Sequence, residues 1–292
     1  MSLVRARRAI LVGDHRQLPP FVNDEVQEWL THQAANGHHE TDPQRLTNLL
    51  TTSAFEQLYG LAPETHRVLL RRQRRMPAAI ADFVSTWFYD GKLITGGTQP
   101  AAPPPFRRPL ALVDTSDMDT LARAERERTR SETWQVAGYD NPAEARLIID
   151  LIQWYARTGC SWAVIVPYRA QVQLLTTRLS TMLGDETRVT DNVGTVDAFQ
   201  GGERDIICYG FTRSNPAKRI GFLAELRRIN VAITRAKQQL VLVGDFTTLR
   251  AARNPRFQEL AQALHHHTTR HGEVHMSRMA ADLLRDAWRT AQ

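Results

Sequence analysis

The chain has 292 residues, a formal net charge of +6 and 42% hydrophobic residues. This length accommodates one large or two modest domains, and the apolar content suffices for a buried core, which excludes wholesale disorder. Nearly all the positive charge is arginine, because Lys92, Lys218 and Lys237 are the only lysines. The arginine excess fits a protein that binds nucleic acid, and it equally fits the base composition of the source genome.

The cysteines and the apolar runs indicate a cytoplasmic protein. Cys160 and Cys208 form no C-x-x-C pair, so no zinc site is predicted, and two free thiols fit a reducing compartment. Residues 1–8 lack the long apolar region of a signal peptide. No apolar run approaches the ~20 residues of a membrane-spanning helix. We therefore expect neither a membrane partner nor a metal centre.

The first third of the chain predicts short elements. An apolar run at 9–13 predicts a buried strand. The polar segment 24–50 predicts a helix and a loop, and its histidines lack the carboxylate or cysteine partners of a metal site. They are His32, His38 and His39. Ser53 with Glu56 three residues later predicts the capping box of a short helix.

The next segments predict a strand, a helix and a long loop. Val68–Leu70 predicts a short strand, and 96–109 is rich in proline and glycine, which predicts an exposed loop. Between them, apolar residues recur at helical spacing. These residues are Ile80, Phe83, Val84 and Trp87. The charged segment 118–139 is expected to be loop-rich.

From Asn141 onward, strands and helices alternate. Helices are predicted at 142–158, at 170–182 and around 227–235, and strands at 110–114, 163–166, 206–209 and 240–245. This alternation is typical of a mainly parallel α/β sheet with helices on both faces. The polar segment 253–292 predicts a helical tail.

Four polar stretches accompany the predicted strands. They are Asp14 to Gln17, Arg71 to Arg75, Asp197 to Glu203 with Gln200, Gly201 and Gly202, and the arginines Arg227, Arg228 and Arg235. Open α/β sheets bind ligands at the carboxyl ends of their strands, and guanidinium groups match phosphate oxygens. Any one stretch alone could be a turn with surface salt bridges. Four at the ends of alternating strands favour a phosphate-binding cleft.

These stretches carry a family resemblance. The chain resembles the C-terminal part of superfamily 1 helicases, in the group of the nonsense-mediated-decay RNA helicase and its DNA-helicase relatives. In family order, the matching segments are VGDHRQLPP (12–20, motif III), QRRMP (73–77), N-x-x-EA (141–145), PYRAQ (167–171), TVDAFQGGE (195–203, motif V), IGFL (220–223) and RRINVAITRA (227–236, motif VI). The resemblance implies a RecA-like fold.

The resemblance also implies the roles of individual residues. Gln17 would couple the γ-phosphate to nucleic-acid binding, and Arg75 and Arg235 would be arginine fingers on the γ-phosphate. Glu203 would hold the ribose of the nucleotide. The other implied residues are Arg74 and Gly202 at the nucleotide, and Pro167, Tyr168, Arg169 and Thr195 at the single strand.

The sequence departs from the family pattern at one motif. Arg74 stands where the family has a tyrosine that stacks on the base, and a guanidinium plane also stacks on bases, though less hydrophobically. The family's histidine after the methionine is absent, so Pro77 follows Met76 directly. Neither change affects the phosphate arginines.

A phosphate-binding loop is absent from the 292 residues. Such a loop needs G-x-x-x-x-G-K-[ST], and none of the three lysines stands in that pattern. The pairs Asp24-Glu25 and Asp185-Glu186 do not end apolar strands, so neither predicts a Mg²⁺ motif. We expect 1–62 to be the end of a first RecA-like domain, 63–252 a second one, and 253–292 the helical tail.

This organisation leads to an expectation about activity. ATP and Mg²⁺ would bind only together with a P-loop domain supplied in cis or in trans, and the chain alone would hydrolyse ATP negligibly. The chain would then be a fragment, a truncated gene product or half of a split enzyme. An alternative is a nucleic-acid-binding or regulatory module without ATPase activity. A nuclease has little support, since no metal-ligand spacing is present.

Overall fold

A computed structural model describes residues 8–18, 53–97, 101–131, 135–199 and 201–291. The chain divides into two compact units, Met1–Leu70 and Arg71–Gln292. The division falls later in the chain than the break expected after residue 62. The polar segment 24–50, its three histidines and Gln200 lie outside the described residues.

The first unit contains one described α-helix, α1 (Ala54–Leu61). Its predicted N-cap is confirmed, because the backbone N–H of Glu56 donates to Ser53 Oγ at 2.9 Å. The predicted strand at 9–13 is not formed within the described residues. An extended segment becomes a strand only when another strand pairs with it, and Ile10 and Val12 are instead 94% and 87% exposed.

The second unit is built on a six-stranded sheet. In spatial order its strands are β10 (Glu273–Met276), β3 (Leu110–Asp114), β9 (Ala236–Gly244), β8 (Arg204–Gly210), β6 (Trp162–Ile165) and β7 (Val193–Gly194). Every neighbouring pair is parallel. Two further pairs lie outside this sheet, the parallel β1 (Arg72–Gln73) with β2 (Ile94–Thr95) and the antiparallel β4 (Arg126–Arg128) with β5 (Gly138–Asp140).

Helices cover both faces of the sheet. They are α2 (Ala78–Phe88), α3 (Thr120–Arg123), α4 (Pro142–Tyr155), α5 (Arg169–Leu183), α6 (Glu186–Asn192), α7 (Leu226–Ile233), α8 (Phe246–Leu249), α9 (Pro255–His271) and α10 (Ser277–Thr290). Helix α4 packs on one face, where its Ile148 and Ile152 join alternate residues of the central strands, such as Val241, in one buried cluster. The intervening strand residues, such as Leu242, are buried as well. Burial on both faces is typical of a parallel α/β sheet covered by helices, in agreement with the RecA-like fold that the resemblance implies.

Three segments differ from the sequence-based predictions. The predicted strand at Val68–Leu70 is wrong, since these residues are exposed and the strand forms at Arg72–Gln73, where it pairs with β2. Helix α6 was not predicted. The segment 253–292 is not wholly helical, because β10 lies between α9 and α10 and adds an edge strand to the sheet. No helix in the described ranges has the length and apolar character needed to cross a membrane.

Candidate functional site

A tight turn after β1 positions Arg75. The side chain of Gln73 holds this turn, because its Oε1 accepts the backbone N–H groups of Arg75 at 3.0 Å and Met76 at 2.8 Å. Its Nε2 donates to the Met76 carbonyl at 3.0 Å and to Thr95 Oγ1 at 2.8 Å. Met76 is buried, and α2 begins two residues later. The backbone of Arg75 is therefore held in a rigid turn.

Arg75 and Arg235 contact the predicted nucleotide residues Glu203 and Gly202, respectively. Its Nε donates to Glu203 Oε2 at 2.7 Å, and its Nη1 donates to the Thr234 carbonyl at 3.3 Å. Arg235 is buried and donates through Nη1 to the Gly202 carbonyl at 3.3 Å. Its Nε donates to the Val231 carbonyl at 2.8 Å. We call Arg75, Gly202, Glu203, Thr234 and Arg235 the arginine cluster.

The arginine cluster lies at the amino edge of the sheet. Glu203 directly precedes β8 and Arg235 directly precedes β9, and the first residues of the two strands, Arg204 and Ala236, pair with each other. Arg75 follows the carboxyl end of β1, whereas Glu203, which was expected after a strand, stands before the amino end of β8. The turns that precede β8 and β9 bring motifs V and VI together.

The arginine cluster is suited to an anionic ligand. Arg75 and Glu203 keep 35% and 45% of their side chains exposed, and a half-exposed ion pair contributes little to stability. Arg75 can therefore exchange Glu203 for the oxygens of a phosphate at small cost. Arg235, held by two backbone carbonyls, adds a second fixed positive charge.

The remaining predicted residues of the second unit lie elsewhere. Arg74 is exposed, and its guanidinium makes no hydrogen bond to the described residues. Pro167 and Arg169 follow β6, and Thr195 follows β7, so these three lie at the carboxyl edge of the sheet. The structure thus separates the predicted nucleotide residues from the predicted single-strand residues by the length of the strands.

Tyr168 is the buried centre of the carboxyl edge. Only 3% of it is exposed, and burial raises the pKa of its phenol. Its hydroxyl donates to the Ile220 carbonyl at 3.0 Å and accepts from Arg213 Nη1 at 3.0 Å. Arg213 in turn pairs with Glu125 at 2.7 Å. The sequence identified Tyr168, whereas Arg213 and Glu125 carried no motif signal.

A second buried network, beside α4, holds Glu144. Both of its carboxylate oxygens accept the backbone N–H of Thr212, at 2.9 and 2.7 Å, and Gln171 Nε2 donates to Oε1 at 3.4 Å. Burial raises the pKa of Glu144 to about 8, although these hydrogen bonds oppose the rise. Asn141, the N-cap of α4, accepts the N–H of Glu144 through its side chain at 3.0 Å. The N-x-x-EA segment therefore ties α4 to the residues that follow β8.

Gln17 lies in the first unit. Its Nε2 donates to Asp14 Oδ2 at 2.8 Å, and the N–H of Arg16 donates to Asp14 Oδ1 at 2.9 Å. His15 stacks on Tyr59 of α1 with ring centres 4.7 Å apart. Asp14 thus fixes the turn that carries Gln17. Within the described ranges, no group of three or more histidine, cysteine, aspartate or glutamate side chains is placed to hold a metal ion.

Comparison with known proteins identifies the family. The AAA domain family matches residues 50–247. The uncharacterized ATP-dependent helicase MJ0104 of Methanocaldococcus jannaschii is 30% identical over 86% of this chain and 34% of its own length. DNA polymerase alpha-associated DNA helicase A of Saccharomyces cerevisiae is 31% identical over 85% of this chain and 35% of its own length. The mouse DNA-binding protein SMUBP-2 is 33% identical over 94% of this chain and 25% of its own length.

With the RecA-like sheet and the ordered motifs, these matches define a class: the chain belongs to the AAA-domain family of superfamily 1 helicases. It spans between a quarter and about a third of the length of these relatives.

Proposed function

We propose that this chain is the C-terminal portion of an ATP-dependent helicase or translocase that moves on DNA or RNA. The observation that carries the proposal is the arginine cluster, in which Arg75 and Arg235 converge with Glu203 at one edge of the sheet. In this proposal, residues 63–252 form a second RecA-like domain and the described residues of 1–62 belong to the end of a first one.

The residues of the arginine cluster have distinct proposed roles. Arg75 and Arg235 neutralise the charge that develops on the γ-phosphate during hydrolysis. Glu203 accepts hydrogen bonds from the ribose, and the Gly202 backbone lets the nucleotide approach closely. Exposed Arg74 stacks on the base. Gln17 senses the γ-phosphate and couples it to the bound strand.

The chain offers only part of an ATP site. Its described residues supply guanidinium groups and a carboxylate, and its sequence contains no phosphate loop. ATP and Mg²⁺ are therefore proposed to bind only with a P-loop domain, whether that domain is supplied in cis or in trans. The residues after β6 and β7 are proposed to contact the single strand. The two free thiols support a cytoplasmic location.

A second candidate function is a nucleic-acid-binding or regulatory module without ATPase activity. Exposed Arg169 at the carboxyl edge of the sheet favours it, because a strand can bind there without a nucleotide. The two proposals differ when a P-loop domain encoded in or beside the same gene is added. A helicase portion then acquires ATP turnover that depends on Arg235, whereas a regulatory module does not.

ATP turnover by the purified chain is expected to stay at the level of the Arg235→Ala variant, with or without single-stranded DNA or RNA. The reason is that the chain supplies guanidinium groups to one side of the nucleotide and no phosphate-binding loop to the other. The chain is expected to bind the strands nonetheless, with an affinity that falls as salt rises. A coupled ATPase assay and fluorescence anisotropy on one preparation measure both quantities.

The turnover assay and the binding assay can each contradict the proposal. Strand-stimulated turnover that Arg235→Ala abolishes would show that the P-loop domain is not required. An absence of strand binding at low salt would remove the proposed nucleic-acid contacts.

A further inference from the structure

Phe222 is an exposed aromatic ring at the carboxyl edge of the sheet. It lies in the short 3₁₀ turn Gly221–Ala224 and is 59% exposed, whereas the next residue, Leu223, is 1% exposed. Leu223 therefore anchors the turn in the core, and the Phe222 side chain is left facing solvent. An aromatic side chain as exposed as Phe222 is not part of the hydrophobic core.

Tyr168 holds this turn in place. The N–H of Phe222 donates to the Tyr168 hydroxyl at 3.2 Å, and the two rings lie 5.4 Å apart, tilted by 47°. Gly221 has a positive φ of 52°, and a Cβ there would come within 2.5 Å of the Tyr168 hydroxyl. Only glycine allows the phenol this close. The buried tyrosine thus fixes the position of the exposed phenylalanine.

One arginine lies beside the exposed ring, and two more stand close to it or to Tyr168 in the sequence. The guanidinium carbon of Arg228 lies 5.7 Å from the centre of the Phe222 ring. Arg169 adjoins Tyr168 in sequence, and Arg219 stands three residues before Phe222. Both are exposed, and neither guanidinium pairs with a carboxylate of the described residues. Aromatic rings among unpaired positive charges are the usual surface for single-stranded nucleic acid.

We infer that Phe222 is a base-stacking platform for the single strand and that Tyr168 is its positioning residue. This inference rests on the proposed function and deepens it. Tyr168 is too buried to stack on a base itself, so its contribution passes through the turn to Phe222. Arg169 and Arg219 hold the adjacent phosphates. Because every base has an apolar face, such stacking tolerates any sequence.

Phe222→Ala is expected to weaken binding of a fluorescein-labelled oligothymidylate about tenfold to a hundredfold, the effect of losing one stacked base. The dependence of affinity on salt stays unchanged, because the phosphate contacts remain. Phe222→Trp retains wild-type affinity, and Phe222→Leu does not. Met279→Ala is the matched control, since it removes another half-exposed apolar side chain, from α10.

A strand with abasic central nucleotides gives a second readout. Wild type loses affinity for this strand relative to the intact one, and Phe222→Ala does not, because the stacking contact is already gone. Equal affinities of wild type and Phe222→Ala for the intact strand overturn the inference. Full rescue by Phe222→Leu also overturns it, since any apolar cover would then suffice. A wild-type chain that binds neither strand overturns the proposed strand binding itself, which is a distinguishable result.

Discussion

The wild-type protein is expected to lose stability as the pH rises through the neutral range, and the Glu144→Gln variant is expected not to show this loss. The pKa of Glu144 is raised from 4.5 to about 8, chiefly by burial. Below pH 4.5 the folded and unfolded states both hold the proton. Between pH 4.5 and 8 the unfolded state releases it while the folded state keeps it, so stability falls, and above pH 8 the loss is complete. This difference amounts to on the order of 5 kcal/mol.

Urea unfolding at a series of pH values measures this effect. The glutamine side chain of the variant keeps an acceptor for the N–H of Thr212 and has no proton to lose, so the variant gains relative to wild type at high pH. Glu127→Gln changes an exposed glutamate on β4 and serves as the control. Parallel curves for wild type and Glu144→Gln would mean that Glu144 is ionised in the fold throughout this range.

Gly272→Ala is expected to destabilise the protein by about 3 kcal/mol, the upper part of the range for overpacked sites. A Cβ at Gly272 would overlap the backbone carbonyl oxygen of Leu110 and lie 3.1 Å from its carbonyl carbon. Since both partners are backbone, no side chain can turn away. Gly272 caps α9 and leads directly into β10. The substitution therefore pushes β10 off β3.

Thermal and urea unfolding test this expectation. The control is Gly60→Ala in α1, where a Cβ would meet no atom within 4 Å and alanine favours the helix. A Gly272→Ala protein as stable as wild type would show that β10 does not need its close approach to β3.

The central part of the fold could be predicted because its strands carry their own signal. The apolar runs at 110–114, 163–166 and 240–245 are buried on both faces, and such strands read as continuous apolar segments. Strand β10 could not be predicted in the same way. Glu273 and His275 stand in it, and its conformation depends on pairing with Leu110–Asp114, which is far away in sequence.

The candidate site was partly predictable for a similar reason. The family resemblance singled out Arg75, Glu203 and Arg235, and the structure brings them together. The sequence could not show that they gather at the amino ends of β8 and β9, since this depends on how the turns before these strands pack. The sequence also could not show that Tyr168 is buried and Phe222 exposed, because this depends on how the turn Gly221–Ala224 packs on Tyr168.

The two polar edges of the sheet stand at opposite ends of β8, whose seven residues span about 23 Å at 3.3 Å per residue. Hydrogen-bonded strands with apolar side chains on both faces deform little along their length. If the unit tilts as a rigid body by about 5° about the arginine cluster, Phe222 moves by about 2 Å, roughly half of one strand spacing. Such a displacement needs no rearrangement of any side chain between the two edges.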